Sequence, residues 1–388
     1  MIAYNKQSLD NLYMHEQLED AFVKNQISAE ELKNCKEKYP MNLYTPNIFV
    51  RIGLFILTTI IAIFSFGLIS LIFLSGGGDN GFTVLLIFFS LISYGALEFI
   101  IRSKKHFKSG VDDALMWMSG IFIIVAINLH DTSMLTNSII VFIISLFFTL
   151  RFLNMIMSAI ASVALLAVVF FAYIRFDEFA KATAPFLIMA VALTMYFLSS
   201  KKSNQESKNY YESCLLMTEI VSLACFYVAG NYFIVREASI SMFNLNLKDG
   251  ESIPLGWIFW IFTVAVPFIY LARGIQKKNI LLIRMGLILI AAIVFTVRYY
   301  YHVLPAETAM IIAGLIMIAI AYAFIKYLKE PKNGFSDQQN AERSFTAKQL
   351  EALLIAQTLG HAKIETTNGE ATEFGGGSGG GGGAGGEF

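Results

Sequence analysis

The sequence predicts an all-α protein, a polytopic bundle of about ten membrane-spanning helices. The first observation is composition: 56% of the 388 residues are hydrophobic and 15% are charged, and the mean hydropathy is +0.60. Soluble chains carry about 25% charged residues. The second is that apolar residues form runs of roughly 17–25 residues, the length that crosses about 30 Å of hydrocarbon. The third is that Lys and Arg concentrate in alternate loops. Together they exclude a soluble enzyme, a disordered chain and a disulfide scaffold.

Residues 1–50 precede the first span and read as a small helical region outside the membrane. Apolar residues recur in its first half at near-helical spacing. A second short helix is predicted to start at Ser28, because Ser28-Ala29-Glu30-Glu31 forms a capping box. Pro40 and Pro46 close the region. It is too small to hold a deep core of its own.

The membrane domain is predicted over residues 51–328. Each apolar run must be helical, since an open strand edge in lipid leaves backbone groups without partners. The third run is short, and the fourth meets the fifth across only Leu153 and Asn154, so eight to eleven spans fit the pattern. The predicted spans are 52–74, 82–101, 114–130, 134–152, 154–174, 182–199, 214–234, 254–272, 280–297 and 306–327.

The distribution of Lys and Arg predicts the orientation of these spans. With the N-terminus inside, 23 of the 29 basic residues fall in inner segments and five in outer ones, while Arg284 lies within a span. Cytoplasmic loops of membrane proteins carry this excess of positive charge. Both termini are therefore predicted to be cytoplasmic. The formal net charge is zero, so no overall positive field indicates a nucleic-acid partner.

Charged residues near the inner ends of the spans are the candidate binding residues. Such residues are costly in a membrane, so they are the first place to look for function. A substrate or proton site would use Glu98, Arg151, Glu219 and Arg284, with Arg51 and Arg102 at the same level. The structural alternative is pairing between helices and snorkelling to the interface. A depth of only one helical turn favours that alternative.

Polar residues also cluster at the predicted outer ends, where they could form a vestibule or merely solvated helix ends. They are His130, Asp131, Asp177, Glu178, His302 and Glu307. Pro185 and Pro267 fall inside predicted spans, where a proline can kink a helix and free a carbonyl. Asn231 adds an uncharged polar group toward an outer end.

An eight-residue similarity relates two predicted spans. Residues 50–57 (VRIGLFIL) and 283–290 (IRMGLILI) both place Arg at the inner end of a helix and Gly two residues later. A glycine there would let a neighbouring helix approach closely. The match indicates either a parallel internal repeat or chance similarity in an apolar background.

The tail is predicted to lie in the cytoplasm. Residues 329–360 include a short amphipathic helix, and residues 361–388 form a disordered segment that ends in a glycine run. Phe374 and Phe388 flank that run, so the tail is predicted to be a tether that a protein partner binds. The repeated Glu-Phe pair would also fit an engineered linker. The native interpretation is favoured.

Two resemblances support the architecture. The tail pattern F-G-G-G-S…G-G-G-A-G-G-x-F resembles the glycine-rich ends of TPM-domain membrane proteins, although the TPM domain itself is missing. The lead 27–31, the opening Arg51-Ile52-Gly53, the segment 283–287 and the segment 299–304 are similar to a family of bacterial integral membrane proteins of unknown function. The resemblance implies a bacterial inner membrane and supplies no reaction.

The sequence favours a non-enzymatic scaffold, sensor or accessory protein. It contains no phosphate-binding loop, zinc-protease motif or nucleophile elbow. Cys35, Cys214 and Cys225 have no ligand spacing, so neither a metal nor another cofactor is predicted. The lipid bilayer is the one certain partner. The alternative is a small-solute or proton-coupled transporter that uses the inner charged residues.

Overall fold

The computed structural model describes residues 2–23, 26–74, 79–176, 178–203, 210–243, 252–253 and 255–300, with isolated positions between 308 and 326. Within these residues the chain forms twelve helices and no strand. The helices are α1 (Lys6–Val23), α2 (Ala29–Lys38), α3 (Ile48–Leu74), α4 (Asp79–Lys104), α5 (Val111–Asn128), α6 (Met134–Phe152), α7 (Met155–Tyr173), α8 (Glu178–Ser203), α9 (Glu212–Gly230), α10 (Tyr232–Phe243), α11 (Gly256–Lys277) and α12 (Ile280–Tyr300).

Nine of the described helices are long and apolar enough to cross a membrane: α3 to α9, α11 and α12. This confirms the predicted class, an all-α polytopic bundle, and the first nine predicted spans. The protein is therefore a multi-pass integral membrane protein. The tenth predicted span, 306–327, falls on residues of which the structure describes isolated positions only. The tail, including Phe374 and Phe388, lies outside the described residues.

Helices α1 and α2 form the predicted helical region before the first span, here called the cap. Its capping box is present: the Glu31 amide donates to Ser28 Oγ at 3.2 Å, and the Ser28 amide donates to Glu31 Oε2 at 2.8 Å. The hydrogen bond from the Ser28 amide lowers the pKa of the Glu31 carboxyl. The box thus fixes where α2 begins.

The predicted two-residue turn between the fourth and fifth spans is also present. Leu153 adopts a left-handed conformation, with φ of 55°, and ends α6. Asn154 then caps α7, because its Oδ1 accepts hydrogen bonds from the amides of Ile156 at 2.9 Å and Met157 at 3.0 Å. The turn is as tight as the sequence indicates.

The seventh span ends earlier than predicted, at Gly230 rather than residue 234. Asn231 interrupts the helix, and side-chain oxygens accept hydrogen bonds from the backbone amides that follow the break. Asn231 Oδ1 accepts from the Phe233 amide at 3.0 Å, and Nδ2 donates to Thr296 Oγ1 at 3.1 Å. Thr263 Oγ1 accepts from the Tyr232 amide at 2.9 Å. Side chains of the protein therefore provide hydrogen-bond partners for the backbone amides of Tyr232 and Phe233.

The spans pack mainly as four hairpins, α4 with α5, α6 with α7, α8 with α9, and α11 with α12, while α7 also packs on α9. Pro185 and Pro267 lie inside α8 and α11, each of which remains one helix. Helix α3 is peripheral, because none of the residues in its most apolar 18-residue stretch is buried. It packs on α5 and α4 and presents its remaining surface outward.

The cap is packed onto one end of the bundle, here called the cap end. One apolar cluster joins Tyr4 and Leu9 of the cap region to Leu97, Ile101 and Phe152 of α4 and α6. Tyr4 also packs edge-on against Phe107, with ring centroids 4.8 Å apart. This shared core fixes the cap against the helix ends where the candidate charges lie.

Candidate functional site

Glu98 and Arg151, two of the predicted site residues, form an ion pair between α4 and α6. Arg151 Nε lies 2.6 Å from Glu98 Oε1, and the Tyr94 hydroxyl donates to the same oxygen at 2.9 Å. Glu98 Oε2 lies 3.3 Å from Arg102 Nε, a charge contact without hydrogen-bond geometry. The Glu98 and Arg151 side chains are only 13% and 21% exposed. The pair therefore joins two helices at the cap end.

A second ion pair, between Arg51 of α3 and Asp113 of α5, lies at the same end. Arg51 Nη2 and Nε donate to Asp113 Oδ2 at 2.6 and 3.0 Å. Asn154 Nδ2 donates to the other oxygen at 3.0 Å. The carboxylate thus ties α3 and α5 to the residue that caps α7.

Asp113 was not among the predicted site residues. It stands beside Asp112 at the start of a span, where acidic residues commonly favour the positive end of the helix dipole. The available signal was that Arg51 begins the first predicted span and Asp113 lies at the start of the third, and both spans were predicted to run in the same direction. Because both residues lie where such spans begin, an ion pair between Arg51 and Asp113 could have been predicted.

The loop between α4 and α5 is closed by short polar contacts. Asp112 Oδ1 accepts from the amide and the hydroxyl of Ser109 at 2.8 and 2.9 Å. The Ser109 hydroxyl also lies 2.8 Å from His106 Nδ1. The Tyr44 amide donates to the Lys105 carbonyl at 2.9 Å, and the Phe107 amide donates to the Tyr44 carbonyl at 3.1 Å. This loop therefore anchors the segment that leads from the cap into α3.

The cap reaches the two ion pairs directly. The Ala3 amide donates to the Arg151 carbonyl at 2.9 Å, and the Tyr210 hydroxyl donates to Asp10 Oδ1 at 2.9 Å. Tyr4 is buried beside both pairs, and burial, followed by the negative charges of Asp112 and Asp113, raises its pKa. We call this group the cap-end junction; its members are Tyr4, Arg51, Glu98, Asp113, Arg151 and Asn154.

Two cavities adjoin the cap-end junction. One is lined by Tyr4, Asp113 and Asn154, among others, and measures about 10 Å³, room for a single water molecule. The other measures about 680 Å³ and lies between the cap and the end of α4, with Lys38, Arg102 and Lys105 in its lining. Only the second is large enough for a small-molecule ligand.

The other two predicted site residues are not part of the cap-end junction. Glu219 of α9 is 6% exposed, and no described residue forms an ion pair with it. Arg284 of α12 is exposed. Neighbouring polar side chains serve helix packing instead: the Ser158 hydroxyl donates to the Cys214 carbonyl at 2.8 Å and lies 3.0 Å from Thr218 Oγ1. Of the four predicted site residues, the described ion pairs therefore join Glu98 with Arg151 and include neither Glu219 nor Arg284.

Of the predicted outer polar residues, His130 and Asp131 have described side chains, and both are exposed. His130 Nε2 lies 3.4 Å from Thr83 Oγ1. The side chains of Asp177, Glu178, His302 and Glu307 lie outside the described residues, so the predicted vestibule stays a prediction.

Acidification is expected to loosen the loop between α4 and α5. Burial, aided by the positive charge of Lys104 and opposed by Asp112, lowers the pKa of His106. The unfolded chain, with a pKa of about 6.5, then binds a proton more readily than the folded chain. The stability that neutral His106 provides is present above about pH 6.5 and lost as the pH falls toward the folded pKa.

Hydrogen exchange of the Phe107 amide measures this effect, after correction for intrinsic rates. Exchange should accelerate as the pH falls below about 6.5, and the substitution His106→Gln should remove most of the acceleration. An identical pH profile in the wild type and His106→Gln would show that His106 is not the titrating group.

Comparison of the chain with models of protein families, with curated proteins and with solved structures finds no match. The candidate site therefore rests on the geometry of the cap-end junction and its cavity.

Proposed function

We propose that this integral membrane protein is a non-enzymatic sensor or accessory protein in which the cap and the membrane helices act as one coupled unit. One observation carries the proposal. The cap inserts Tyr4 beside two mostly buried ion pairs, and the Ala3 amide binds the carbonyl of Arg151, a member of one of those pairs. A change in the cap would thus reach α3, α4, α5 and α6 through direct contacts.

The energetics of the cap-end junction support a coupling role. Desolvating a charge costs several kcal/mol, so a buried ion pair is often no more stabilising than apolar side chains of similar volume. Such pairs can instead specify one arrangement of the elements that they join. At the cap end, each carboxylate joins two helices, and Asp113 also binds Asn154 at the α6–α7 turn. The network favours a single relative position of cap and helices.

We further propose that the cap end faces the cytoplasm of a bacterial cell, with both termini on that side of the inner membrane. The excess of Lys and Arg in the loops on the cap side supports this orientation. Labelling of single cysteines with a membrane-impermeant reagent in intact cells tests it. A cysteine at Lys105 should be protected and one at Asp131 should react, and the opposite pattern would reverse the orientation.

The tail is proposed to bind a protein partner through Phe374 and Phe388. A glycine-rich segment with aromatic side chains can be bound by a partner while the protein stays in the membrane. Affinity capture with the full chain and with a chain ending at residue 373 tests this role. Equal recovery of the same partner from both would remove the tail from the proposal.

The coupling itself is tested by the substitution Leu9→Ala. Leu9 lies in the apolar cluster shared by cap and bundle, so its truncation should weaken the cap by about 2–5 kcal/mol. We expect hydrogen exchange to accelerate at least tenfold in the α6–α7 turn and in the loop before α5, as well as in α1. The control is Leu18→Ala, the same change in the same helix at a residue outside that cluster.

Acceleration that stays within α1 after Leu9→Ala would contradict the proposal. The cap would then be a separately unfolding unit, and no signal could pass from it to the helices by this route. Equal acceleration of the turn by Leu18→Ala would attribute the effect to general destabilisation of the cap.

A further inference from the structure

The larger cavity at the cap end has a composition that indicates its ligand. Among the residues that the structure describes, its lining contains three cationic side chains, Lys38, Arg102 and Lys105, and no carboxylate. The other polar side chains in this described lining are uncharged, among them Asn5, Gln7 and Asn11. A concave site with one sign of charge concentrates ligands of the opposite sign.

The three cations are available to a ligand. Within the described residues, neither Lys38 nor Lys105 has an ion-pair partner, and both are exposed. Arg102 Nε lies 3.3 Å from Glu98 Oε2, and the Arg102 side chain is 71% exposed. At that exposure its terminal nitrogens can donate two parallel hydrogen bonds to an oxyanion.

The walls of the cavity are held in place by contacts that do not use these cations. Asn11 Nδ2 donates to the Pro40 carbonyl at 3.0 Å, and His15 Nε2 lies 2.6 Å from the Tyr39 carbonyl, so α1 positions the segment after α2. The Lys105 carbonyl accepts from the Tyr44 amide at 2.9 Å and fixes the opposite wall. A site whose walls are already ordered loses less entropy when it binds.

We propose that this cavity binds a phosphate-bearing ligand. Three cations with no acid match the charge of a phosphate ester better than that of a single carboxylate, and a guanidinium matches the geometry of its oxygens. The volume of about 680 Å³ accommodates a ligand of small-molecule size. Either a phospholipid headgroup or a soluble phosphate compound has this chemistry.

This inference goes beyond the proposed function, because it rests on the cavity and not on coupling between cap and helices. Ligand binding is measured as thermal stabilisation, whereas coupling between cap and helices is measured by hydrogen exchange after Leu9→Ala. Either can therefore fail while the other holds.

The test compares two pairs of substitutions that remove the same charge. Lys38→Gln with Lys105→Gln removes two cations from the cavity. Lys33→Gln with Lys104→Gln removes two exposed cations that do not line the cavity. Lys33 lies in α2, as Lys38 does, and Lys104 is the last residue of α4, directly before Lys105. All four residues are exposed, so both double variants should fold.

Thermal unfolding is measured in two arms. The soluble arm adds inorganic phosphate or pyrophosphate to protein in a neutral detergent, with sodium chloride at matched ionic strength as the reference. The lipid arm compares nanodiscs of phosphatidylcholine alone with nanodiscs that contain about one fifth phosphatidic acid or phosphatidylglycerol. We expect Tm to rise by about 2 °C or more in at least one arm for the wild type and the Lys33/Lys104 variant.

The Lys38/Lys105 variant should lose that rise or need at least about tenfold more ligand for half of it, since each charged hydrogen bond is worth about one decade in affinity. A rise confined to the lipid arm identifies a headgroup as the ligand, and a rise in the soluble arm identifies a free phosphate compound. Equal rises in both double variants, or no rise in either arm, would overturn the proposal.

Discussion

Replacing Gly110 with alanine is expected to lower the free energy of unfolding by about 3 kcal/mol or more. Gly110 precedes α5 with φ of +93°, a conformation that strains any residue with a side chain. An added Cβ would also overlap the Arg51 carbonyl oxygen and lie 3.0 Å from the Phe55 amide nitrogen. Both atoms belong to the backbone of α3, so no side-chain rotation relieves the clash. Helices α3 and α5 would have to separate, and the Arg51–Asp113 pair would open.

Thermal unfolding of the purified protein in detergent measures the loss, and Tm should fall by about 5 °C or more. The control is Gly53→Ala on α3, because no atom lies within 4 Å of a Cβ added there. Alanine also favours a helix more than glycine does, so that variant should melt at or slightly above the wild type. A Gly110→Ala protein that melts within about 1 °C of the wild type would contradict the close packing of α3 on α5.

The membrane architecture was predictable because length and hydropathy alone decide which segments span a bilayer. Nine predicted spans coincide with described helices, and the tight turn at Leu153 and Asn154, which Arg151 marks in the sequence, is present. The end of the seventh span was predicted wrongly. Apolar residues continue past Gly230, so hydropathy gave no sign that Asn231 would break the helix and bind Thr296, 65 residues away.

The candidate site was predictable only in part. The predicted depth indicated Glu98, Arg151, Glu219 and Arg284 alike, and of these Glu98 and Arg151 form an ion pair. Depth could not predict that pairing, because it does not reveal which face of a helix a side chain occupies. The cavity was not predicted at all, since Lys38 and Lys105 lie 67 positions apart and meet through the packing of the cap.

The two similar segments, 50–57 and 283–290, occupy different surroundings. A Cβ on Gly286 would lie 2.8 Å from Leu271 Cγ and 3.0 Å from the Pro267 carbonyl oxygen, so α12 approaches α11 closely, as predicted. No described residue outside α3 lies within 4 Å of a Cβ placed on Gly53, so none of the described helices approaches α3 closely at the corresponding position. Sequence similarity there does not correspond to similar helix packing.

Neutralising one partner of the Arg51–Asp113 pair is expected to destabilise the protein more than neutralising both. Asp113→Asn keeps an oxygen that can accept from Asn154 Nδ2, but it leaves the Arg51 guanidinium without its ion-pair partner. Arg51→Met leaves the Asp113 carboxylate without its ion-pair partner. The side chains are 25% and 12% exposed, so each single substitution should cost about 2–4 kcal/mol, the lower end reflecting the solvent contact of Arg51. The double variant leaves no unpaired charge, so it should recover about 2–4 kcal/mol or more of the summed loss and be less destabilised than either single variant.

The more exposed ion pair of Lys36 and Glu19 is the control for the same double-mutant comparison. Lys36 Nζ lies 2.7 Å from Glu19 Oε1, but the two side chains are 35% and 51% exposed. The interaction energy between Lys36→Met and Glu19→Gln should therefore stay below about 1 kcal/mol. Additive losses at Arg51 and Asp113 would mean that water screens both pairs alike. If the Arg51/Asp113 double variant instead regains stability but no longer transmits the Leu9→Ala perturbation to the α6–α7 turn, the charges serve coupling rather than stability. That separation is what the proposed function requires of the cap-end junction.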